Sequence, residues 1–414
     1  MLKKLMLVLS MFSLAGYGAV EISNVKAKQR YPWNEYIDLK FDLDCGSRPS
    51  ATVTVSAKDK LTGKYLPVNT LWEVGNGPTN NYLVISSGKK HLIWNAGADL
   101  PSGYSSQNVD VTVTALAASE IRSMQYFIID LSAGPNATSY PKYFIDAIPA
   151  EGWTDEFKTT KLVMRCVNPT AFKGLGRKSS DWSGMIGDGV WDESVTVSLS
   201  KKYYIGVFEI TQKQWELVMG TNPSRFKGDT LPVENVSWDM VRGGTTNDTS
   251  VAEGSFIDRI RKRIGYDWFD LPTYAQWECA CLAGTQTAFN NGANGSVIFG
   301  DDPCILDVAW YRMNSTNQTH AVGLLKPNRW GLYDMHGNVW EYCLDTVRHG
   351  YYGKSGDAQN GDVDPIGKTG ICDYDYRGGD WYSSALWCES SLSHYNWSGA
   401  LIESAGFRLS FTYP

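Results

Sequence analysis

The sequence predicts an N-terminal all-β sandwich followed by an α+β domain with little regular secondary structure. Three observations support this fold class. The chain has 414 residues, too many for one ordinary hydrophobic core. Apolar and polar residues alternate with a period of two up to about residue 118, and short capped helices appear only later. Sixteen Trp and 23 Tyr among 40 Gly indicate a loop-rich protein with an aromatic core.

Residues 1–19 have the pattern of a secretory signal peptide. Lys3 and Lys4 precede an apolar run, and small residues follow it at Ala15, Gly16 and Gly18. The run is too short for a transmembrane helix, and no later segment is apolar enough to cross a bilayer. The sequence therefore predicts cleavage near residue 18 or 19, no transmembrane segment, and a secreted or periplasmic protein.

The charge distribution argues against a nucleic-acid partner. The net charge is −6, and the densest basic run is "RIRKR" at residues 259–263. Phe256, Ile260 and Ile264 accompany this run at helical spacing, so it is interpreted as the solvated face of a surface helix.

Residues 20–118 are predicted to form an immunoglobulin-like β-sandwich. In "YIDLKFDLD" the apolar residues alternate with charged ones, which places Ile37, Leu39, Phe41 and Leu43 on one face. The segments "ATVTVSA" and "NVDVTVTA" repeat this alternation between Gly-, Asn- and Pro-rich turns. Evenly spaced half-buried strands without a helix are typical of this class of sandwich.

A connecting segment, 119–155, precedes the second domain, 156–414. Two short helices are predicted there, one from residue 211 to 220 and one from 273 to 284. Each begins with a Thr that is followed three positions later by Gln, and each is followed by Gly, which is the pattern of a capping box and a C-terminal stop. Eight cysteines lie in a compartment that permits disulfides, but their pairing does not follow from the sequence.

The segment "GLYDMHGNVWEYCLD", residues 331–345, is a candidate metal-binding loop. Asp334 and Glu341 bracket Gly337, and the carbonyl of Val339 lies between them in the chain. Oxygen ligands at such spacings on a Gly-turned loop suit Ca²⁺, which accepts backbone carbonyls. The alternative is a turn whose Asp and Asn side chains only bind the backbone, and spacing alone favours that alternative.

Several ordered motifs resemble one enzyme family. They are "YYIGVFEITQKQWELVMGTNPSRFKGDTLPVENVSW", "LPTYAQWECACLAG", the segment around "GLYDMHGNVWEYCLD", "YRGGDWYSSALWC" and "GFRLSF". Over roughly residues 156–414 the chain is similar to the formylglycine-generating enzyme, or sulfatase-modifying factor, family. The resemblance implies a C-type-lectin-like α+β fold. It also implies a structural calcium bound by the side chains of Asp334 and Glu341 and the carbonyls of Gly337 and Val339.

The resemblance also implies a reaction, in which O₂ and a copper ion held by two cysteines oxidise a client sulfatase cysteine to formylglycine. The second copper cysteine matches Cys388, whereas the first falls on Ser383. A hydroxyl is a poor ligand for Cu(I), which prefers thiolates. The family serine after the paired glycines is replaced by Asp380, while Trp340 matches an active-site tryptophan.

These replacements predict a catalytically diverged member that acts as a calcium-stabilised binding module. Its partner would be a protein or peptide client, such as a sulfatase, or a surface polysaccharide. The alternative is an active oxidase that still binds copper. For Cys388 two other roles are open, a structural disulfide and a pairing with His336 or His394, although ordinary surface histidines are the more common case.

Overall fold

The computed structural model describes most of the chain. The described residues are 7–11, 20–30, 35–46, 51–62, 65–66, 68, 70–74, 82–100, 104, 109–116, 125–169, 172, 196–244, 251–294, 302–347, 361–366, 373–397 and 399–412. They fall into two compact units. The first comprises Met1–Met124, Asn136–Phe144 and Lys262–Gly265, and the second comprises Gln125–Pro135, Ile145–Arg261 and Tyr266–Pro414.

The described residues of the first unit form two β-sheets and one short helix. Its elements are β1 (Leu7–Met11), β2 (Glu21–Gln29), β3 (Tyr36–Asp44), β4 (Ala51–Asp59), β5 (Tyr65–Leu66), β6 (Leu71–Glu73), β7 (Tyr82–Ile85), β8 (Gly88–Asn95), α1 (Ala96–Asp99) and β9 (Val109–Leu116). One sheet has the order β2-β3-β8-β6. The other has the order β1-β9-β4-β5, and β7 also pairs with β4.

The predicted alternation of buried and exposed residues is present in the first unit. Along β3 the four apolar residues Ile37, Leu39, Phe41 and Leu43 are buried, and none of the residues between them is. Alternate residues of β4 and β9 are also buried, and the two sheets contribute to one hydrophobic cluster. Two sheets around a shared cluster agree with a sandwich, whereas the immunoglobulin-like type stays a prediction.

The second unit contains the remaining short elements. They are β10 (Tyr126–Asp130), β12 (Lys161–Val167), β13 (Val197–Ser198), β14 (Tyr203–Gly206), α2 (Gln212–Met219), α3 (Trp238–Val241), β15 (Phe269–Asp270), α5 (Tyr274–Leu282), β16 (Ala309–Trp310), β17 (His336–Gly337), β18 (Trp340–Val347), β19 (Asp362–Val363), β20 (Asp373–Arg377), β21 (Ser393–Trp397), β22 (Ala405–Gly406) and β23 (Ser410–Thr412). Short 3-10 helices occupy Asp155–Lys158, Pro303–Ile305 and Ala385–Cys388. Two further elements, β11 (Lys142–Ile145) and α4 (Phe256–Ile264), contain residues of both units.

Two sheets organise the second unit. Strands β10, β12, β14, β23 and β15 lie side by side in that order, and β21, β20, β18 and β22 form the other sheet. All five residues of β10 are buried, so this part of the expected connecting segment is a fully packed strand. The short parallel pairs β13–β19 and β16–β17 complete the pairing.

Both predicted capping boxes form. The hydroxyl of Thr211 accepts the N–H of Gln214, and that of Thr273 accepts the N–H of Gln276, with the reciprocal side-chain bonds present in both. Gly220 ends α2 in the left-handed conformation, as expected. At the end of α5 the left-handed C-cap is Ala283, one residue before the predicted glycine, because Ala283 N donates to Cys279 O there.

Helix α4 carries the basic run and matches its interpretation only in part. Phe256, Ile260 and Ile264 are buried as expected. Arg261, however, is also buried and pairs with Asp270 at 2.9 Å, so the run is not simply a solvated face. Within the part of the chain that the structure describes, no helix is both long enough and apolar enough to cross a membrane.

Candidate functional site

In the loop of the candidate metal site, the backbone at Gly337 lies very close to the backbone at Trp310. Gly337 has φ 73°, and a Cβ placed on it would lie 2.0 Å from the carbonyl oxygen of Trp310. Parallel pairing of β16 with β17 causes this closeness. Asp334 and Asn338 also have positive φ, at 54° and 66°. The loop conformation therefore requires glycine at 337 and residues that tolerate the left-handed region at 334 and 338.

A buried ion pair holds the far end of this loop. Arg408 Nε lies 2.6 Å from Glu341 Oε2, and Arg408 Nη2 lies 2.5 Å from Glu341 Oε1. Trp277 Nε1 also donates to Glu341 Oε2 at 2.6 Å. The guanidinium further donates to the carbonyls of Gly206 at 2.9 Å and Tyr333 at 3.0 Å. Arg408 is 0% exposed and Glu341 is 1% exposed, so water does not screen this two-pronged contact.

Two more buried carboxylates lie in the same network. Glu209 accepts hydrogen bonds from Asn338 Nδ2 at 2.7 Å and from Val339 N at 3.1 Å. Burial, followed by the charges of Asp334 and Glu341, raises the pKa of Glu209 well above its usual value. Asp334 Oδ2 accepts the N–H of Gly323 at 2.7 Å, and burial raises the pKa of Asp334 to about 6. The loop is thus held by side chains that the sequence pattern alone did not include.

The predicted calcium ligands do not all have free oxygens. Both oxygens of Glu341 accept hydrogen bonds from Arg408 or Trp277. Asp334 Oδ1 is buried and has no hydrogen-bond partner among the described residues, so of the predicted ligands it has the side-chain oxygen that suits a cation. No group of three or more His, Cys, Asp or Glu side chains in the described ranges is arranged to hold a metal ion. Because Ca²⁺ needs six to eight oxygens, this arrangement does not fit calcium bound through Glu341.

Cys388 lies at the end of a 3-10 helix and is completely buried. A Cβ added to Gly379 would lie 2.6 Å from its Sγ, so the second of the paired glycines packs directly against the thiol. Burial raises the pKa of Cys388 well above its usual value, and the charges of Asp380 and Glu389 raise it further. Without a bound metal the thiol is therefore neutral at physiological pH, so it does not act as a nucleophile there.

Ser383 and Asp380, the other two predicted site residues on this loop, bind each other. Ser383 Oγ donates to Asp380 Oδ1 at 2.6 Å and accepts the backbone N–H of Asp380 at 3.1 Å. The same carboxylate oxygen accepts the N–H of Tyr382 at 3.0 Å. These bonds close a turn. They also engage the hydroxyl of Ser383 in hydrogen bonds, at the position where the family has its first copper cysteine. One buried thiol and a hydroxyl bound to a carboxylate do not fit Cu(I).

Neither alternative role for Cys388 is present among the described residues. No disulfide joins the described cysteines (45, 166, 279, 281, 304, 343 and 388), while Cys372 lies outside the described residues. His336 Nδ1 donates to the carbonyl oxygen of Cys388 at 2.6 Å, not to its thiol, and His336 Nε2 accepts the N–H of Asn290 at 3.1 Å. His394 Nδ1 lies 2.8 Å from the hydroxyl of Tyr376. A Cys–His catalytic pair at Cys388 is therefore absent.

Trp340 lies in a group of aromatic rings, here called the aromatic cluster: Trp340, Tyr376, Trp387 and His394. The ring of Tyr376 lies 5.3 Å from that of Trp340 and stacks on that of His394 at 5.3 Å. Trp387 lies 5.9 Å from His394. Trp340 and Tyr376 are buried, whereas Trp387 and His394 are half-buried. The cluster is thus anchored in the core and presents two of its rings to solvent.

Sequence reasoning missed the two residues that organise the loop, Arg408 and Glu209. For Arg408 a signal was available, because "GFRLSF" places one charge between apolar residues in a strand-like pattern. Such a charge is buried only when it is paired. Glu209 in "VFEIT" is likewise a single charged residue between apolar neighbours.

Comparison with known proteins agrees with this architecture. The family described as "Sulfatase-modifying factor enzyme 1-like domain" matches residues 184–412. The chain is 35% identical over 190 residues to "Chaperone protein LppX" of Paenibacillus barcinonensis, a match that covers 38% of this chain and 66% of the relative. It is 29% identical over 136 residues to the formylglycine-generating enzyme of Thermomonospora curvata, covering 32% of this chain and 39% of that enzyme. The chain thus spans less than two thirds of each relative.

Solved structures with a similar course of the chain include "Treponema denticola variable protein 1", at 25% identity and a TM-score of 0.49. That match covers 61% of this chain and 96% of the other. PvdO from Pseudomonas aeruginosa matches at 18% identity and a TM-score of 0.47, covering 63% of this chain and 97% of the other. The family match itself spans more than half of the 414 residues. The chain belongs to the sulfatase-modifying factor, or formylglycine-generating enzyme, family.

Proposed function

We propose that this protein is an exported, catalytically diverged member of its family that binds a protein or peptide partner without oxidising it. The observation that carries the proposal is the bond between Ser383 and Asp380 beside a buried Cys388. The family reaction needs two thiolates, whereas this site has the neutral thiol of Cys388 and the hydroxyl of Ser383, which is hydrogen-bonded to Asp380.

The surface around the former reaction site supports a binding role. Tyr382 is 68% exposed and lies in the same turn that Asp380 closes. Trp387 and His394 add half-buried rings from the aromatic cluster. Tyr and Trp are enriched at the energetic centres of protein interfaces because they bury much area with little loss of side-chain entropy. A protein or peptide therefore suits this surface better than a charged ligand does.

Two contacts of Trp381 hold this turn in place. The ring of Trp381 lies 5.5 Å from that of Phe226 in an edge-to-face arrangement, and Trp381 N donates to Asn338 O at 3.0 Å. The turn carrying Tyr382 is thereby tied to the loop of the candidate metal site. A preformed surface binds with less loss of conformational entropy than a mobile one.

A labelled Cys-x-Pro-x-Arg peptide tests the proposal, with binding and conversion measured on the same sample. We expect binding without formylglycine, and a loss of at least about tenfold in affinity for Tyr382→Ala. The matched control is Leu324→Ala, a change at another apolar residue that is 60% exposed, which should leave binding unchanged. Conversion of the peptide would overturn the non-oxidase assignment. Binding to a surface polysaccharide but not to the peptide would overturn the class of partner.

The alternative function is an active oxidase, and one observation favours it. Cys388 and Trp340 stand at the family positions, with Cys388 packed against Gly379. The burial of the Cys388 thiol and the hydrogen bond between Ser383 and Asp380 weigh against this alternative.

A further inference from the structure

The outer edge of β9 carries a second candidate binding site, within the first unit. On one side β9 pairs with β4 in an antiparallel ladder from Asp59↔Val109 to Thr52↔Leu116. On its other side it pairs in parallel with β1, in the register Leu7↔Val109, Val8↔Asp110, Leu9↔Val111, Ser10↔Thr112 and Met11↔Val113. Strand β9 is therefore an inner strand as long as β1 is present.

Strand β1 lies wholly within the predicted signal peptide. Cleavage near residue 18 or 19 removes Leu7–Met11 from the exported protein and leaves β4 as the partner of β9. The N–H and C=O groups on the released edge then lose their partners. Exposed edges of this kind pair readily with another extended chain.

We propose that the released edge of β9 is a strand-accepting site, bound in parallel by an extended apolar segment of another polypeptide in the register of β1. This inference rests on the export of the protein, which is part of the proposed function. Strand β1 shows which chemistry the edge accepts, because it is a segment of sequence LVLSM that pairs over its whole length. Its parallel direction also argues against a second copy as the occupant, since two β9 edges related by a twofold axis pair antiparallel.

The side chains of β9 define the partner sequence further. Val109, Val111 and Val113 are fully buried, and Asp110 and Thr112 are not. The residues opposite the buried valines in the register are apolar in the sequence, at positions 7, 9 and 11. Neighbours directly across a ladder share one face of the sheet, so a partner strand needs apolar residues at its first, third and fifth positions.

Disulfide trapping tests the site and its register together. The exported full-length protein carries either Asp110→Cys or Thr112→Cys, and the probe is a lysine-flanked LVLSM peptide. One peptide has cysteine at the position of Val8, and the other has it at the position of Ser10. We expect Asp110→Cys to be trapped at least tenfold faster by the first peptide, and Thr112→Cys at least tenfold faster by the second. Lys58→Cys, which faces Asp110 from β4, should give the background rate of wild type.

Equal trapping by both peptides, or none above background, would overturn the inference. An intact mass that includes residues 7–11 in the exported protein would also overturn it, because the edge would stay occupied. Trapping depends neither on Tyr382 nor on Cys388. Failure of this site is therefore distinguishable from failure of the proposed peptide-binding function.

Discussion

Replacing Arg408 by alanine is expected to destabilise the second unit strongly. The change removes both hydrogen bonds to Glu341 and leaves a carboxylate that is 1% exposed with Trp277 as its remaining donor. It also removes the donors to the carbonyls of Gly206 and Tyr333. Breaking a buried ion pair by removing one partner costs about 3–5 kcal/mol, because the other charge stays buried without compensation.

The lost backbone contacts add to this cost. A buried acceptor left without a donor costs about 1–3 kcal/mol, although such terms are not fully additive. A total loss of about 5 kcal/mol corresponds to a fall in Tm of roughly 10–20 °C for a domain of this size. This loss is a large part of the free energy of unfolding of a typical domain, which is about 5–15 kcal/mol.

Thermal unfolding monitored by near-UV circular dichroism measures this effect, since the second unit is rich in buried Trp and Tyr. The matched control is Arg225→Ala, which breaks an ion pair with Glu403 at 3.3 Å whose side chains are 59% and 71% exposed. An exposed pair contributes at most about 1 kcal/mol, so the control should shift Tm little. Equal shifts for Arg408→Ala and Arg225→Ala would refute the assignment of Arg408 as the residue that holds the loop.

Three further predictions concern single groups. Burial raises the pKa of Glu234 from 4.5 to about 6, so the native state binds this proton more tightly than the unfolded state does. The free energy of unfolding should therefore fall by at most about 2 kcal/mol as pH rises from about 4.5 to 6. Glu234→Gln should flatten this part of the Tm–pH curve, and an unchanged slope would contradict the assignment. Cys388 should resist alkylation by iodoacetamide in the native protein and react after unfolding, as mass spectrometry of the peptide would show; rapid labelling of native protein would mean that the thiol is accessible. Because Arg408 already neutralises Glu341, EDTA should leave Tm unchanged; a fall in Tm that Glu341→Ala erases would restore the calcium site expected from the sequence.

Much of the fold follows from short-range patterns in the sequence. The alternation in β3 predicts its buried face, and both capping boxes form as their Thr and Gln spacing predicts. These features depend on neighbours a few residues apart, which the sequence displays directly. The packing of β10 into the second unit was not predicted. It depends on pairing with β12, about 35 residues further along the chain.

The site was predicted less completely, for the same physical reason. Family resemblance located Asp334, Glu341, Ser383 and Cys388. Ser383 pairs within its own turn, but the partners that hold the candidate metal loop come from distant parts of the chain. Arg408 is 67 residues from Glu341. Glu209 is 129 residues from Asn338. Spacing within one loop suggested metal ligands, whereas a buried arginine far along the chain binds one of them.

Copper binding tests the central claim most directly. The reduced protein is titrated with Cu(I) against a competing chelator, and the copper-treated sample is then incubated with the Cys-x-Pro-x-Arg peptide and analysed by mass spectrometry. Because Cys388 is a single buried thiol and Ser383 is bound to Asp380, we expect no tight Cu(I) site and no formylglycine. Ser383→Cys, with and without Asp380→Ser, shows whether the second thiol is what is missing. One tightly bound copper per wild-type chain together with turnover of the peptide would contradict the account.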